Sequence, residues 1–326
     1  MSLKLSPAAL GKAALRNMVY ILCVVLLVIP GMIFPGYASS ASITVLLKNI
    51  SLWGIMAIGV AFVMLLGCND LSIGLNVSML TVFTALLGQR MNLPFLIPSV
   101  CILGVAAGLF NGFVVGQLNI NPFIATLGTQ LVFKGIGMVL SNGYPIMNTN
   151  PGIKVLFEMP LFHAGVFTFT LPMAVMAGCL LIASCVLKYT RFGQNVYVVG
   201  GNREAAALAG ISPKRIILAC YAISGLSAGI TAILVTSFNT SGNAAIGERY
   251  SLMTVAACVM GGLSMSGGYG SAVRAVMGVA AMQLIQKVLY RLDPGIASLQ
   301  IGIIGMLLII FMIVDLVASK LSGGKQ

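Results

Sequence analysis

Thr126, Gln130 and Lys134 recur at intervals of four residues, which places them on one face of a helix. Gln283 and Lys287 repeat that spacing, with Gln286 beside them, and Asn76 and Asn111 add two amides inside otherwise apolar runs. These side chains offer hydrogen bonds and positive charge but no carboxylate. Such stripes could hydrate a path and hold hydroxyl groups; equally, they could serve helix–helix hydrogen bonds, with the lysines reaching to the surface. Acid–base and nucleophilic chemistry find little material. The six acidic residues, Asp70, Glu158, Glu204, Glu248, Asp293 and Asp315, fall in expected loops or at span ends. Asp70 reads as a cap for the helix that follows, through Ser72 or by itself. The one histidine, His163, has no histidine or cysteine near it, and none of the seven cysteines forms a CxxC pair, so no metal set is expected. HExxH and GxxxxGK[ST] are both absent. No catalytic residue and no cofactor is expected.

The elements that must carry these residues follow from composition. Of 326 residues, 59% are hydrophobic and only 7% charged. Soluble domains hold about 25% charged residues, and disordered chains are poor in apolar ones, so both classes are excluded. At about 20 residues per transmembrane helix, this composition supplies roughly nine or ten spans. Runs such as 19–29 and 301–314 are apolar on every side, as lipid-embedded helices are. The expectation is an all-α polytopic membrane protein of about ten transmembrane helices, one domain over residues 1–326.

The expected spans are Met18–Phe34, Asn49–Cys68, Ile73–Leu87, Pro94–Gly116, Pro122–Ser141, Val166–Leu187, Arg215–Ser237, Ser251–Gly262, Ser271–Leu289 and Ser298–Val317. The first is read as an uncleaved helix, not a signal peptide. Two are short and border glycine-rich or polar turns, the pattern of membrane helices that line a cavity. The net charge of +12 reads as topology rather than nucleic-acid binding. With both termini cytoplasmic, Lys4, Lys12, Arg16, Lys188, Arg191, Arg203, Lys214, Arg215, Lys320 and Lys325 fall inside. Only Lys48, Arg90, Lys154, Arg249 and Arg291 then fall outside. The outer loop 142–165 is rich in Asn-Gly and Pro turn signals and reads as an ordered cap. Trp53 reads as an interface anchor.

The inner loop 188–214 holds one further helix. Asn202 is a suitable N-cap, Glu204 favours the helix dipole, and Gly210 suits the position just past the end. Ser212 and Pro213 then start the next span. A helix of about two turns is too short to stand alone and must dock on something. Arg203 and Glu204 are expected to offer charged contacts to a partner, and Ala206 and Leu208 apolar ones.

At this loop a resemblance becomes specific. The run from Arg191 through Phe-Gly-Gln-Asn-Val-Tyr-Val-Val-Gly-Gly-Asn-Arg-Glu-Ala-Ala-Ala-Leu-Ala-Gly-Ile, followed by Tyr221-Ala-Ile-Ser-Gly-Leu-Ser-Ala-Gly-Ile, resembles the permeases of bacterial ABC sugar importers. Their subgroup handles ribose, xylose, arabinose, galactose, allose and autoinducer-2. Asp70-Leu-Ser-Ile-Gly74, Gly108-Leu-Phe-Asn-Gly112, Asn121-Pro-Phe-Ile-Ala-Thr-Leu-Gly128, Ser241-Gly-Asn-Ala and Gly261-Gly-Leu-Ser-Met-Ser-Gly-Gly-Tyr-Gly270 follow in the family's order over residues 49–317. Departures are Cys68-Asn69 before Asp70, Ser251 and Met253 where the family often has acidic residues, and Tyr269 where it usually has Arg. The resemblance implies the type II ABC importer permease fold in the bacterial inner membrane. It also implies a second permease subunit (homo- or heterodimer), two cytoplasmic ATP-binding subunits that hold ATP and Mg, and a periplasmic sugar-binding protein. The alternatives are a branched-chain amino-acid ABC permease and an ion-coupled secondary transporter.

Overall fold

A computed structural model describes residues 18–165 and 167–292, together with positions 302, 305 and 306. The expected span Ser298–Val317, apart from those three positions, lies outside the described residues. So do Lys4, Lys12, Arg16, Asp293, Asp315, Lys320 and Lys325.

Most apolar runs among the described residues are helical. The helices are α1 (Met18–Ile33), α2 (Ser40–Leu65), α3 (Ile73–Gly88), α4 (Leu93–Gly116), α5 (Pro122–Ser141) and α6 (Pro151–Leu156). They continue with α7 (Leu171–Tyr189), α8 (Arg191–Gly201), α9 (Arg203–Leu208), α10 (Pro213–Asn239), α11 (Tyr250–Met260) and α12 (Ala272–Leu292). Six of these, α2, α4, α5, α7, α10 and α12, are long and apolar enough to cross a membrane. Shorter apolar helices are α1, α3 and α11. At 1.5 Å per residue, α11 is about 16 Å long and reaches only about halfway across a bilayer core.

The described residues also include four short strands. β1 (Ile146–Met147) pairs antiparallel with β4 (Ser241–Gly242), and β2 (Pro160–Ala164) with β3 (Phe167–Thr170). The cap expected over 142–165 is therefore built from α6, β1 and the first strand of a hairpin. The expected span from Val166 starts instead as β3 and turns helical at Leu171, where Pro172 sits in the first turn.

The core runs along α2, whose residues from Ile55 to Leu65 are buried among α7, α10, α11 and α12. Backbones approach closely where glycines face carbonyls. A Cβ at Gly104 would lie 2.4 Å from the Gly225 oxygen, and one at Gly225 2.1 Å from the Gly104 oxygen. This reciprocal contact joins α4 to α10, as small residues do between membrane helices. Trp53 is a correction. Because α2 begins at Ser40, nine residues before the expected start, Trp53 lies in mid-helix. It stands edge-on to Tyr250, with ring centroids 4.6 Å apart.

Candidate functional site: a broken-helix core and the docking helix beneath it

Residues 66–72 interrupt the chain between α2 and α3, turning at Gly67 with φ +68°. Asp70 sits in that break and is buried. Its Oδ1 accepts from the Ser72 backbone N–H (3.1 Å) and from Ser72 Oγ (2.7 Å), and its Oδ2 accepts from Ser224 Oγ on α10 (2.6 Å). Ser72 Oγ in turn accepts from Asn111 Nδ2 on α4 (2.6 Å). Tyr221 donates to the Asn69 carbonyl (2.8 Å), and Thr126 Oγ1 on α5 accepts the Leu71 N–H (3.2 Å). The expected capping role of Asp70 is therefore observed, with the carboxylate at the start of α3, where the helix dipole favours it. The break is enclosed by other helices, however. Its backbone and its carboxylate are satisfied by α4, α5 and α10, as non-helical membrane segments require.

A second non-helical stretch lies against α3. Asn243 N–H donates to Thr81 Oγ1 (3.0 Å), Gly247 N–H to Ser78 Oγ (2.7 Å), and Gly74 N–H to Ser251 Oγ (3.0 Å). Residues 243–249 thus descend along α3 from Thr81 toward Gly74, and α11 starts beside the first turn of α3, where Ser251 meets Gly74. Gly74 and Gly247 touch so closely that a Cβ on either would lie within 2.3 Å of the other's carbonyl oxygen. Glu248, on this stretch, accepts from Lys134 Nζ of α5 (2.6 Å). Lys134 therefore has a partly exposed ion-pair partner, which sequence spacing did not provide.

The predicted polar residues divide into two groups. Asn76, Asn111 and Thr126 are buried in or beside the Asp70 network, and the Oδ1 atoms of Asn76 and Asn111 have no partner among the described residues. On the same face of α5 as Thr126, Gln130 and Lys134 are half-buried. Gln283, Gln286 and Lys287 stand apart from these. They line a cleft of about 470 Å³ between the start of α2 and the end of α12.

At the other end of α2 lie α8 and α9. Sequence reading missed α8, whose glycines disguise its helical character. Thr190 caps it by accepting from Gly193 N–H, and Phe192 stacks on Phe62 of α2. Gly200 meets the end of α2 with no room to spare, since a Cβ there would lie 1.8 Å from the Leu65 oxygen. α9 is capped as expected. Asn202 Oδ1 accepts from Ala205 N–H, and Ile211 N–H and Gly210 N–H donate to the Ala206 and Ala207 carbonyls, with Gly210 at φ +81°.

Two expectations about α9 change. Ala206 is 0% exposed and packs inward, so it cannot offer a partner contact, whereas Leu208 is 92% exposed. Arg203 reaches back to the break, donating to the Leu66 carbonyl (3.3 Å) and Cys68 Sγ (2.8 Å). Helix α9 is therefore tied to the α2–α3 break as well as to α10. Tyr269, in the turn after α11, carries the Arg274 guanidinium over its ring at 5.1 Å.

Comparison with known proteins adds the family. Residues 42–312 match the model of a family described as the branched-chain amino acid transport system / permease component. The galactose/methyl galactoside import permease of Haemophilus influenzae is 31% identical over 83% of this chain and 85% of its own length. The ribose import permease of the same organism is 31% identical over 87% and 88%. The L-arabinose transport system permease of Escherichia coli is 32% identical over 79% and 78%. No solved structure matches.

Proposed function

Since the chain belongs to this family of transport-system permease components, we propose that it is the membrane subunit of an ATP-driven importer of a small sugar. The family description speaks of branched-chain amino acids. The relatives that cover most of the chain are instead named for galactose, ribose and arabinose import. That difference favours sugar over an amino acid. The carboxylate-poor spans also favour it over ion coupling, because the carboxylate of Asp70 is taken up by serine hydroxyls and backbone.

The importer reading also carries the finer expectations. The chain would form one membrane domain of about ten spans with the type II permease fold, in the bacterial inner membrane with both termini cytoplasmic. A second permease, two ATP-binding subunits holding ATP and Mg, and a periplasmic sugar-binding protein would complete it. The sugar would pass Gln130 and the Lys134–Glu248 pair, whose polar groups are half-buried and remain accessible. Asn76, Asn111 and Thr126 are buried and would instead hold the helices around the break.

One observation carries the ATP-driven reading: α9 is a capped rod with an almost fully exposed leucine at its tip, fastened to two spans at once. A partner pressing on Leu208 would move the α2–α3 break through Arg203, and α10 through Ile211 and Ser212. The break then reaches α4, α5 and α10 through Asn111, Thr126 and Ser224. In the test, the complete importer is purified with Leu208→Asp. Its membrane insertion and melting temperature should match wild type, because exposed substitutions change stability by about 0.5 kcal/mol or less. ATPase-subunit retention should fall at least about tenfold, since a charge buried in an interface costs several kcal/mol. Full retention and full uptake by this variant would remove α9 as the coupling element.

A further inference from the structure

The cleft between α2 and α12 is separate from Gln130 and the Lys134–Glu248 pair, none of which lines it. It lies at the start of α2, and Leu65 and Leu66, at the far end of that helix, meet α8, α9 and the turn before α12. A helix of 26 residues is about 39 Å long, so cleft and docking helix lie at opposite ends of the bundle. The cleft is lined by Ser42 and Asn49 from α2, and by Gln283, Gln286, Lys287 and Arg291 from α12.

Its charge is one-sided. Lys287 and Arg291 are one helical turn apart and repel each other. Among the described residues, neither has a carboxylate within ion-pair distance, because Glu158 pairs with Lys48 and Glu248 with Lys134. Among the described residues, the partners of Lys287 are neutral: the Tyr37 ring at 4.3 Å and the Ser42 carbonyl at 3.5 Å. Gln283 is more than nine-tenths buried and lines the cleft. A neutral sugar would satisfy the amides and leave two cations uncompensated; an anion bearing hydroxyl or ester oxygens would satisfy both.

The rim identifies the source of that anion. Val45 is 57% and Tyr290 65% exposed beside the cleft. α1, which packs against α12, presents Ile29, Met32 and Ile33 to the outside. Aliphatic surface next to a cationic, amide-lined hollow, with tyrosines at the same level, suits an amphiphile with an anionic head. Arg with carboxamide donors is also a good match for a phosphodiester.

We propose that this cleft binds the phosphodiester headgroup of an anionic phospholipid, whose acyl chains lie against Val45 and α1. The lipid would clamp α12 to α2 at the end of the bundle opposite α9. The proposal stands apart from the identity of the transported solute.

The test compares the full-length protein, wild type and Lys287→Gln/Arg291→Gln, in nanodiscs of phosphatidylcholine with and without phosphatidylglycerol. Retained lipid is counted by mass spectrometry after gentle delipidation, and thermal stability is recorded in parallel. Wild type should retain phosphatidylglycerol over phosphatidylcholine by at least about tenfold, and the double variant should lose that preference. Lys287→Arg, which keeps the charge, should retain it and shows that the site survives substitution. Lys154→Gln, an exposed lysine outside the cleft, serves as the control and should change nothing. Equal retention of both lipids by wild type, or an unchanged preference in the double variant, overturns the proposal. So does equal stabilisation by soluble glycerol phosphate, because the aliphatic rim would then contribute nothing.

Discussion

Ser224 lies 154 residues from Asp70 in the chain, yet its hydroxyl donates to the Asp70 carboxylate at 2.6 Å. That bond ties α10 to the break after α2. Hydrogen bonds to charged groups contribute about 1.5–3 kcal/mol, and a buried carboxylate oxygen left without its donor keeps its desolvation cost. Ser224→Ala should therefore lower unfolding stability in detergent by about that amount, while Ser99→Ala, on an exposed face of α4, should change little. Equal melting of the two variants would mean the Asp70 network holds nothing together. At this scale the sequence was half legible. Asp70, Asn76, Asn111 and Thr126 stood out as polar residues in apolar runs, and Asp70 as a cap. That Asn111 and Thr126 converge on the same break depends on helix packing that spacing does not encode. Lys134 likewise suggested a snorkelling or pathway lysine, and its partner Glu248 comes from a non-helical stretch 114 residues away.

Elements were read best where apolar runs were long and bounded. α4, α5 and α10 fall within a few residues of expectation, because Pro94, Pro122 and Pro213 occupy their first turns. The start of α2 was missed because Ser40, Ser42, Thr44, Lys48 and Asn49 make its first turns polar. Its signal was the Ser39 cap, whose side chain accepts from Ser42 N–H. α8 was missed because Gly193, Gly200 and Gly201 lower helix propensity. Those glycines are not equivalent, and the difference can be tested. A Cβ at Gly200 meets the Leu65 carbonyl at 1.8 Å, whereas at Gly201 it meets nothing within 4 Å. Gly200→Ala should reduce the yield of folded protein severely, since backbone cannot yield as a side chain can. Gly201→Ala, one position on, should behave like wild type. Comparable yields from the two variants on size-exclusion chromatography would contradict the close seating of α8 on α2.

On the scale of the molecule, two non-helical segments meet in one helical bundle. The break at 66–72 leads into the first turn of α3, the descent at 243–249 ends beside it, and α9 is tied to the break through Arg203. Movement at α9 thus has a short mechanical route to the centre of the bundle. Composition announced the bundle, and the ordered motifs announced the family, but neither showed that α9 and the broken core are joined. The central claim is that this bundle passes a small sugar when a partner hydrolyses ATP. Its most direct test is uptake by proteoliposomes carrying this chain, its ATP-binding subunit and its solute-binding protein, with ATP enclosed on the side of α9. Labelled pentoses and hexoses are offered one at a time, and leucine in parallel. The account predicts accumulation of at least one sugar that requires ATP, with leucine at background. Leucine uptake without uptake of any sugar, or sugar uptake that persists without ATP and follows an ion gradient, would contradict it.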